Sequence, residues 1–117
     1  MIQVSPGATI FIAEQPIRFT TRLKGTLAVC RDLLAIEPMD GAYLVFRNVP
    51  GTMLRVLFYD GDGFWLCEKT FSQGRIGFWS ATGVPLAEVT ARELAVILWR
   101  GDVRGAAFPS FWKRVVA

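Results

Sequence analysis

Residues 42–71 read AYLVFRNVPGTMLRVLFYDGDGFWLCEKTF, and the fold turns on this stretch. Three runs rich in aliphatic and aromatic residues (42–47, 53–59 and 64–71) are separated by Asn48-Val49-Pro50-Gly51 and Asp60-Gly61-Asp62-Gly63. Such runs, punctuated by Asn, Asp, Pro and Gly, read as strands joined by tight turns. Connections of about four residues cannot make the crossover that parallel neighbours require, so these three strands are antiparallel. After Ser72-Gln73-Gly74, a short fourth edge strand is expected from Arg75 to Trp79.

Working towards the N-terminus, Ala8 to Ala13 is an apolar run between Pro6-Gly7 and Pro16 and reads as another strand. Between it and residue 42 a helix is expected from about Arg22 to Ile36. Thr20 or Thr21 is its candidate cap, and Leu23, Leu27, Cys30 and Leu34 fall on one face. Pro38 and Asp40-Gly41 end it. Towards the C-terminus, Thr90-Ala91-Arg92-Glu93 has the form of a capping box, with Val89 and Leu94 placed as a hydrophobic staple. Leu94, Ile97 and Leu98 then form an apolar face, and Gly101 is a candidate stop. The expectation is one domain over residues 1–117 with a C-terminal tail at 103–117. Its class is α+β: an antiparallel meander of about four or five strands with both helices on one face. Leu23, Leu27, Leu34, Leu94, Ile97 and Leu98 should be buried there.

With 117 residues, 52% of them hydrophobic, the chain can bury a proper core, and its composition excludes disorder. No apolar run approaches the roughly 18–20 residues of a membrane span. The N-terminus lacks the basic-then-apolar pattern of a secretory signal, so a cytoplasmic protein with no membrane partner is expected. The sequence contains no histidine. That removes Ser-His-Asp and Cys-His catalysis, His-ligated zinc and the ordinary neutral-pH base. Cys30 and Cys67 are the only cysteines and are expected as reduced core thiols. The net charge of +3 permits a polyanionic partner without demanding one.

Asp60 and Asp62 are the residues that most invite a metal reading. The calcium-loop pattern fails, because its fifth and twelfth positions are Phe64 and Phe71. A hairpin turn explains Asp60, Gly61, Asp62 and Gly63 without an ion. No phosphate loop and no serine-nucleophile setting is present, so no catalytic residue, metal ligand or cofactor is assigned. A looser constellation of cations and an aromatic remains: Arg47, Arg55, Lys69 and Arg75 near the turns, with Trp65 beyond the second turn. The four cations could track phosphates and Trp65 could stack on bases; the bland alternative is solvated charge bordering a sheet.

The same stretch resembles a known family. Glu37-Pro38-Met39-Asp40-Gly41, Leu44-Val45-Phe46-Arg47-Asn48, Gly51, Leu54-Arg55-Val56-Leu57, Asp60-Gly61-Asp62-Gly63-Phe64, Lys69 and Gly74-Arg75 follow one family pattern. Val89 to Leu94, Leu98 and Asp102 continue it. The pattern is that of the small TnpB-type accessory protein, the second open reading frame of IS-sixty-six insertion sequences, which is unrelated to the RNA-guided nuclease of similar label. The resemblance covers about residues 8–102. It implies a bacterial, non-catalytic protein of transposition that works beside a separate DDE-type transposase, with element-encoded transposase proteins as partners and DNA as a weak one. The chain departs from the pattern in three places. Of the stretch 18–25 only Gly25 agrees outright, a pair of arginines in the first turn is replaced by Val49-Pro50, and a later basic residue is replaced by Thr70. The competing reading is a diverged protein-interaction domain that does not bind nucleic acid.

Overall fold

The computed structural model describes residues 7–77, 79 and 83–99. The expectations placed on residues 100–117, a helix stop at Gly101 and a tail at 103–117, lie outside the described residues. Five strands form one sheet: β1 (Ile10–Ala13), β2 (Tyr43–Arg47), β3 (Met53–Tyr59), β4 (Phe64–Thr70) and β5 (Leu86–Val89). Two α-helices accompany it among the described residues, α1 (Leu23–Ala28) and α2 (Ala91–Leu98), with a short 3-10 turn at Pro38–Asp40. The class is α+β, as expected.

The spatial order is β4-β3-β2-β1-β5. Strands β2, β3 and β4 form the antiparallel meander, with Leu44 opposite Leu57 and Arg55 opposite Glu68. The meander stops there. β1 lies parallel to β2, Ile10 facing Tyr43, and β5 runs antiparallel to β1. The sheet is therefore mixed, and the helix between β1 and β2 supplies the long crossover that a parallel pair needs. Among the described residues of 75–79, the expected strand does not form. The chain leaves β4 through Gly74 at φ +73°, and Ile76 and Trp79 pack onto the core instead of extending the ladder.

The second correction concerns the helices, which cover opposite faces. Leu94 and Ile97 of α2 pack with Ile10, Ile12, Val45, Leu54 and Val56. Leu23 and Leu27 of α1, with Cys30 and Leu34, pack with Ala13, Leu44, Phe46 and Leu57. Successive strand residues point to opposite faces, and β1 and β2 are apolar at almost every position. A strand without polar alternation is buried on both sides. Of the expected core residues, Leu94 and Ile97 are buried, while Leu23, Leu27, Leu34 and Leu98 are half-buried.

Local signals succeed unevenly. At α2, the Thr90 hydroxyl accepts from the Glu93 amide at 3.0 Å and the Glu93 carboxylate accepts from the Thr90 amide at 2.9 Å. Two orphan donors of that first turn thus gain acceptors, worth about 0.5–2 kcal/mol at a cap. At α1 neither threonine caps, since Arg22 occupies the cap position and the Thr21 hydroxyl donates to the Arg18 carbonyl. Gly25 is required here, because a Cβ on it would lie 2.5 Å from the Thr21 Cβ. Beyond Ala28 the helix widens into a π-turn over Val29–Leu33, closed by Leu34 N–H donating to Val29 O at 3.1 Å. Ala35 ends it at φ +52°.

Candidate functional site

The antiparallel registers gather Arg47, Arg55 and Lys69 onto adjacent rungs at one end of the sheet. Arg47 faces Leu54, which faces Lys69, and Arg55 is one rung away. Strand alternation then divides them. Arg47 and Lys69 emerge on the α2 face and Arg55 on the α1 face, so no common patch forms.

Arg55 is fully buried. Its Nε donates to Glu68 Oε2 at 2.6 Å, and one Nη pairs with the same carboxylate. The other Nη donates to the Thr21 carbonyl at 2.6 Å and to the Thr26 hydroxyl at 2.8 Å. The Phe19 carbonyl takes a further bond at 2.9 Å, and the guanidinium lies 4.2 Å from the Phe19 ring centroid. All five donors of the fork are engaged. Arg55 is thus a strut between β3, β4 and the start of α1, with no donor left for a phosphate.

Lys69 reaches back over the α2 face. Its ammonium donates to the Leu98 carbonyl at 2.6 Å, at the end of α2, where a cation complements the helix dipole. It also lies 5.0 Å from the Trp99 ring. Arg47 is half-buried, donating to the Glu14 carbonyl at 2.8 Å with its guanidinium 5.4 Å from the Trp79 ring. Burial pulls its pKa below the usual arginine value, and the Glu14 charge opposes that shift. Among the described residues its Nε has no hydrogen-bond partner.

Arg75 is exposed and stands beside the first turn, whose Gly51 carbonyl accepts from the Ile76 amide at 2.9 Å. That turn is organised by Asn48, buried, whose Oδ1 accepts from the Thr52 and Met53 amides at 2.8 and 3.0 Å. Trp65 is half-exposed. It stacks near Phe58 at 6.2 Å between ring centroids, and its indole N–H donates to Asp60 Oδ2 at 2.8 Å. In the second turn, Asp60 Oδ1 accepts from the amides of Asp62 and Gly63, both at 2.8 Å, and Gly61 takes φ +97°. These bonds, led by the Gly63 amide, hold the Asp60 carboxyl below the usual carboxylate range. One of its oxygens serves the turn and the other the Trp65 indole.

Three cations that sequence reasoning passed over lie elsewhere. Arg18, Arg22 and Lys24, at and before the start of α1, are exposed and form no ion pair among the described residues. Ile17 bridges Asn48, which sets Arg18 against the first turn that Arg75 also borders. A signal was available: residues 15–31 contain no acid. The fourth cation of that window, Arg31, is held by Glu37 through bonds of 2.9 and 3.1 Å. Among the described residues, no three Cys, Asp or Glu side chains come together as a metal site. No described helix is long and apolar enough to cross a membrane.

Residues 8–105 match the family described as IS66 Orf2 like protein. Two proteins of Sinorhizobium fredii (strain NBRC 101917 / NGR234) are similar to the chain. Uncharacterized protein y4jC is 33% identical over 78 residues, which is 67% of each chain. Uncharacterized protein y4hO is 34% identical over 74 residues, 60% of this chain and 64% of that protein. No solved structure matches.

Proposed function

The chain belongs to the IS66 Orf2-like family, and from that premise we propose that it is a non-catalytic accessory protein of insertion-sequence transposition, acting in the bacterial cytoplasm. The observation that carries this reading is the extent of the family match, which takes in the whole sheet and both helices. The chemistry is compatible: there is no histidine, and the two oxygens of the Asp60 carboxylate are engaged by turn amides and by the Trp65 indole. Its primary contact is with the transposase of the same element. DNA contact is secondary and falls to Arg18, Arg22, Lys24 and Arg75 rather than to Arg47, Arg55 and Lys69.

The test is co-purification of the chain with that transposase, with and without the element's terminal DNA. Capture in both conditions supports the reading; no capture in either refutes it. For DNA, four phosphate contacts would give a log–log salt slope of about −3.6. The triple variant Arg18→Ala, Arg22→Ala, Lys24→Ala should flatten that slope by about 2.7 units. A second reading, a protein-interaction domain without nucleic-acid contact, is favoured by the internal engagement of Arg47, Arg55 and Lys69. Capture of the transposase together with no duplex binding at low salt would select it.

A further inference from the structure

The two edges of the sheet differ. β5 is four residues long, follows Pro85 and carries an exposed Glu88. Short length, proline and outward charge are the usual devices that block strand addition. β4 has none of them. It runs seven residues without proline or bulge, in continuous register from Phe64 opposite Tyr59 to Thr70 opposite Met53. No described strand pairs with its outer side. Its two charges are drawn away from the edge: Glu68 is held inward by Arg55, and Lys69 is bonded to Leu98 at the end of α2.

The hydrogen-bond phase of this edge is fixed. Phe71 N–H donates to Thr52 O at 3.0 Å and Asp60 N–H to Gly63 O at 3.1 Å. Odd-numbered residues of β4 therefore turn their backbone groups towards β3, leaving those of Phe64, Leu66, Glu68 and Thr70 outward. We propose that this edge pairs antiparallel with β4 of a second copy of the chain, about a two-fold axis at Cys67, joining two sheets into one.

The register follows from self-complementarity. Opposed residues must lie on the same face, so the axis passes through a residue. Centred on Cys67, all seven residues pair: Phe64 with Thr70, Trp65 with Lys69 and Leu66 with Glu68 of the second copy. The outward groups then make about eight backbone bonds. No like charges oppose one another, and Trp65, 54% exposed, takes the aliphatic stem of Lys69 of the second copy as its cross-strand neighbour. Centred on Glu68, two carboxylates would be directly opposed, which is destabilising. Centred on Leu66, only five residues would pair. The Cys67 axis also creates a non-hydrogen-bonded pair with Cα atoms about 4.5 Å apart, within the range a disulfide spans. Cys67 is half-buried, whereas Cys30 is fully buried on the other face.

The test uses the full chain. Under reducing conditions, sedimentation velocity over about 1–300 µM should show a concentration-dependent dimer, as a strand-addition interface of modest area would give. Brief treatment with diamide, which takes up the two protons and two electrons released by two thiols, should yield a disulfide-linked dimer. Cys67→Ser should abolish the link, and Cys30→Ala should retain it. Trp65→Lys opposes two lysines in each half of the interface. It should cut the cross-linked fraction at least tenfold while leaving the circular dichroism of the folded chain unchanged. A monomer at every concentration with no Cys67 link overturns the proposal. So does a dimer whose formation is indifferent to Trp65→Lys, which would place the interface elsewhere. Neither result bears on capture of the transposase, so the two readings fail separately.

Discussion

Replacing Arg55 by methionine keeps most of the side-chain volume and removes five donors and a charge. The Phe19 and Thr21 carbonyls and the Thr26 hydroxyl each lose a hydrogen bond, and Glu68 loses its cation. Breaking a buried pair by removing one member costs about 3–5 kcal/mol, because the other charge stays behind unpaired. The Glu68 side chain is 26% exposed, so water recovers part of that cost and the lower end applies. A loss of about 3 kcal/mol is expected for Arg55→Met, a large fraction of the roughly 5–15 kcal/mol that stabilises a domain. Arg55→Lys retains the charge but offers three donors for five positions, and should lose about 2 kcal/mol. Adding Glu68→Leu to Arg55→Met removes the stranded carboxylate and should recover about 1 kcal/mol or more, a coupling typical of contacting partners. Urea unfolding followed by tryptophan fluorescence reads these differences. With a slope of about 1–1.5 kcal/mol/M, Arg55→Met should lower the midpoint by about 2–3 M. A change equivalent to about 0.5 kcal/mol or less is what a solvated surface residue gives. That outcome would refute the strut and return Arg55 to the surface.

Other predictions are smaller. Ala35→Gly relieves a left-handed residue that costs an L side chain about 1 kcal/mol, partly offset by the greater freedom of glycine in the unfolded chain; melting should rise by a few degrees, and a fall would show the position unstrained. Asn48→Ala leaves the Thr52 and Met53 amides without their acceptor and should cost about 2–3 kcal/mol in urea, whereas Asn48→Asp keeps that acceptor and should cost less. Burial pushes the Cys30 thiol up to about 11 from an ordinary value near 9. The unfolded thiol therefore ionises first, and stability present below about pH 9 should decline as pH rises towards 11. Cys30→Ala should flatten that decline; an unchanged alkaline profile would contradict it.

Much of the architecture is legible because it is written locally. The Asp60–Gly63 turn, the capping box at Thr90 and the helix between two apolar runs each carry their own chemistry. The parallel pairing of β1 with β2 was within reach too, since a strand, a helix and a strand in succession form a crossover unit. Helix patterns alone leave both helices free to share one face. The strands decide otherwise: Ile10-Phe11-Ile12-Ala13 and Leu44-Val45-Phe46 leave no polar face to expose. β5 was harder, as Leu86-Ala87-Glu88-Val89 has weak strand propensity and forms through its pairing with β1.

The candidate site shows the same division more sharply. A cation inside an apolar run, Leu54-Arg55-Val56-Leu57, is most economically explained by a buried partner, because its neighbours fix the strand and its own position points inward. The hairpin even names that partner: pairing Asp60 with Gly63 sets Arg55 opposite Glu68. Which face each residue occupies depends on pairing, and proximity to a turn says nothing about it. That is why Arg47, Arg55 and Lys69 look like neighbours in sequence logic and act as three separate tethers in the fold. One joins β2 to the end of β1, one joins β3 and β4 to α1, and one joins β4 to the end of α2. The cations left for a partner, Arg18, Arg22, Lys24 and Arg75, sit where the chain enters α1 and borders the first turn. A polyanion drawn to these four cations would approach the first-turn end of the sheet, where β4 also finishes with Thr70 opposite Met53.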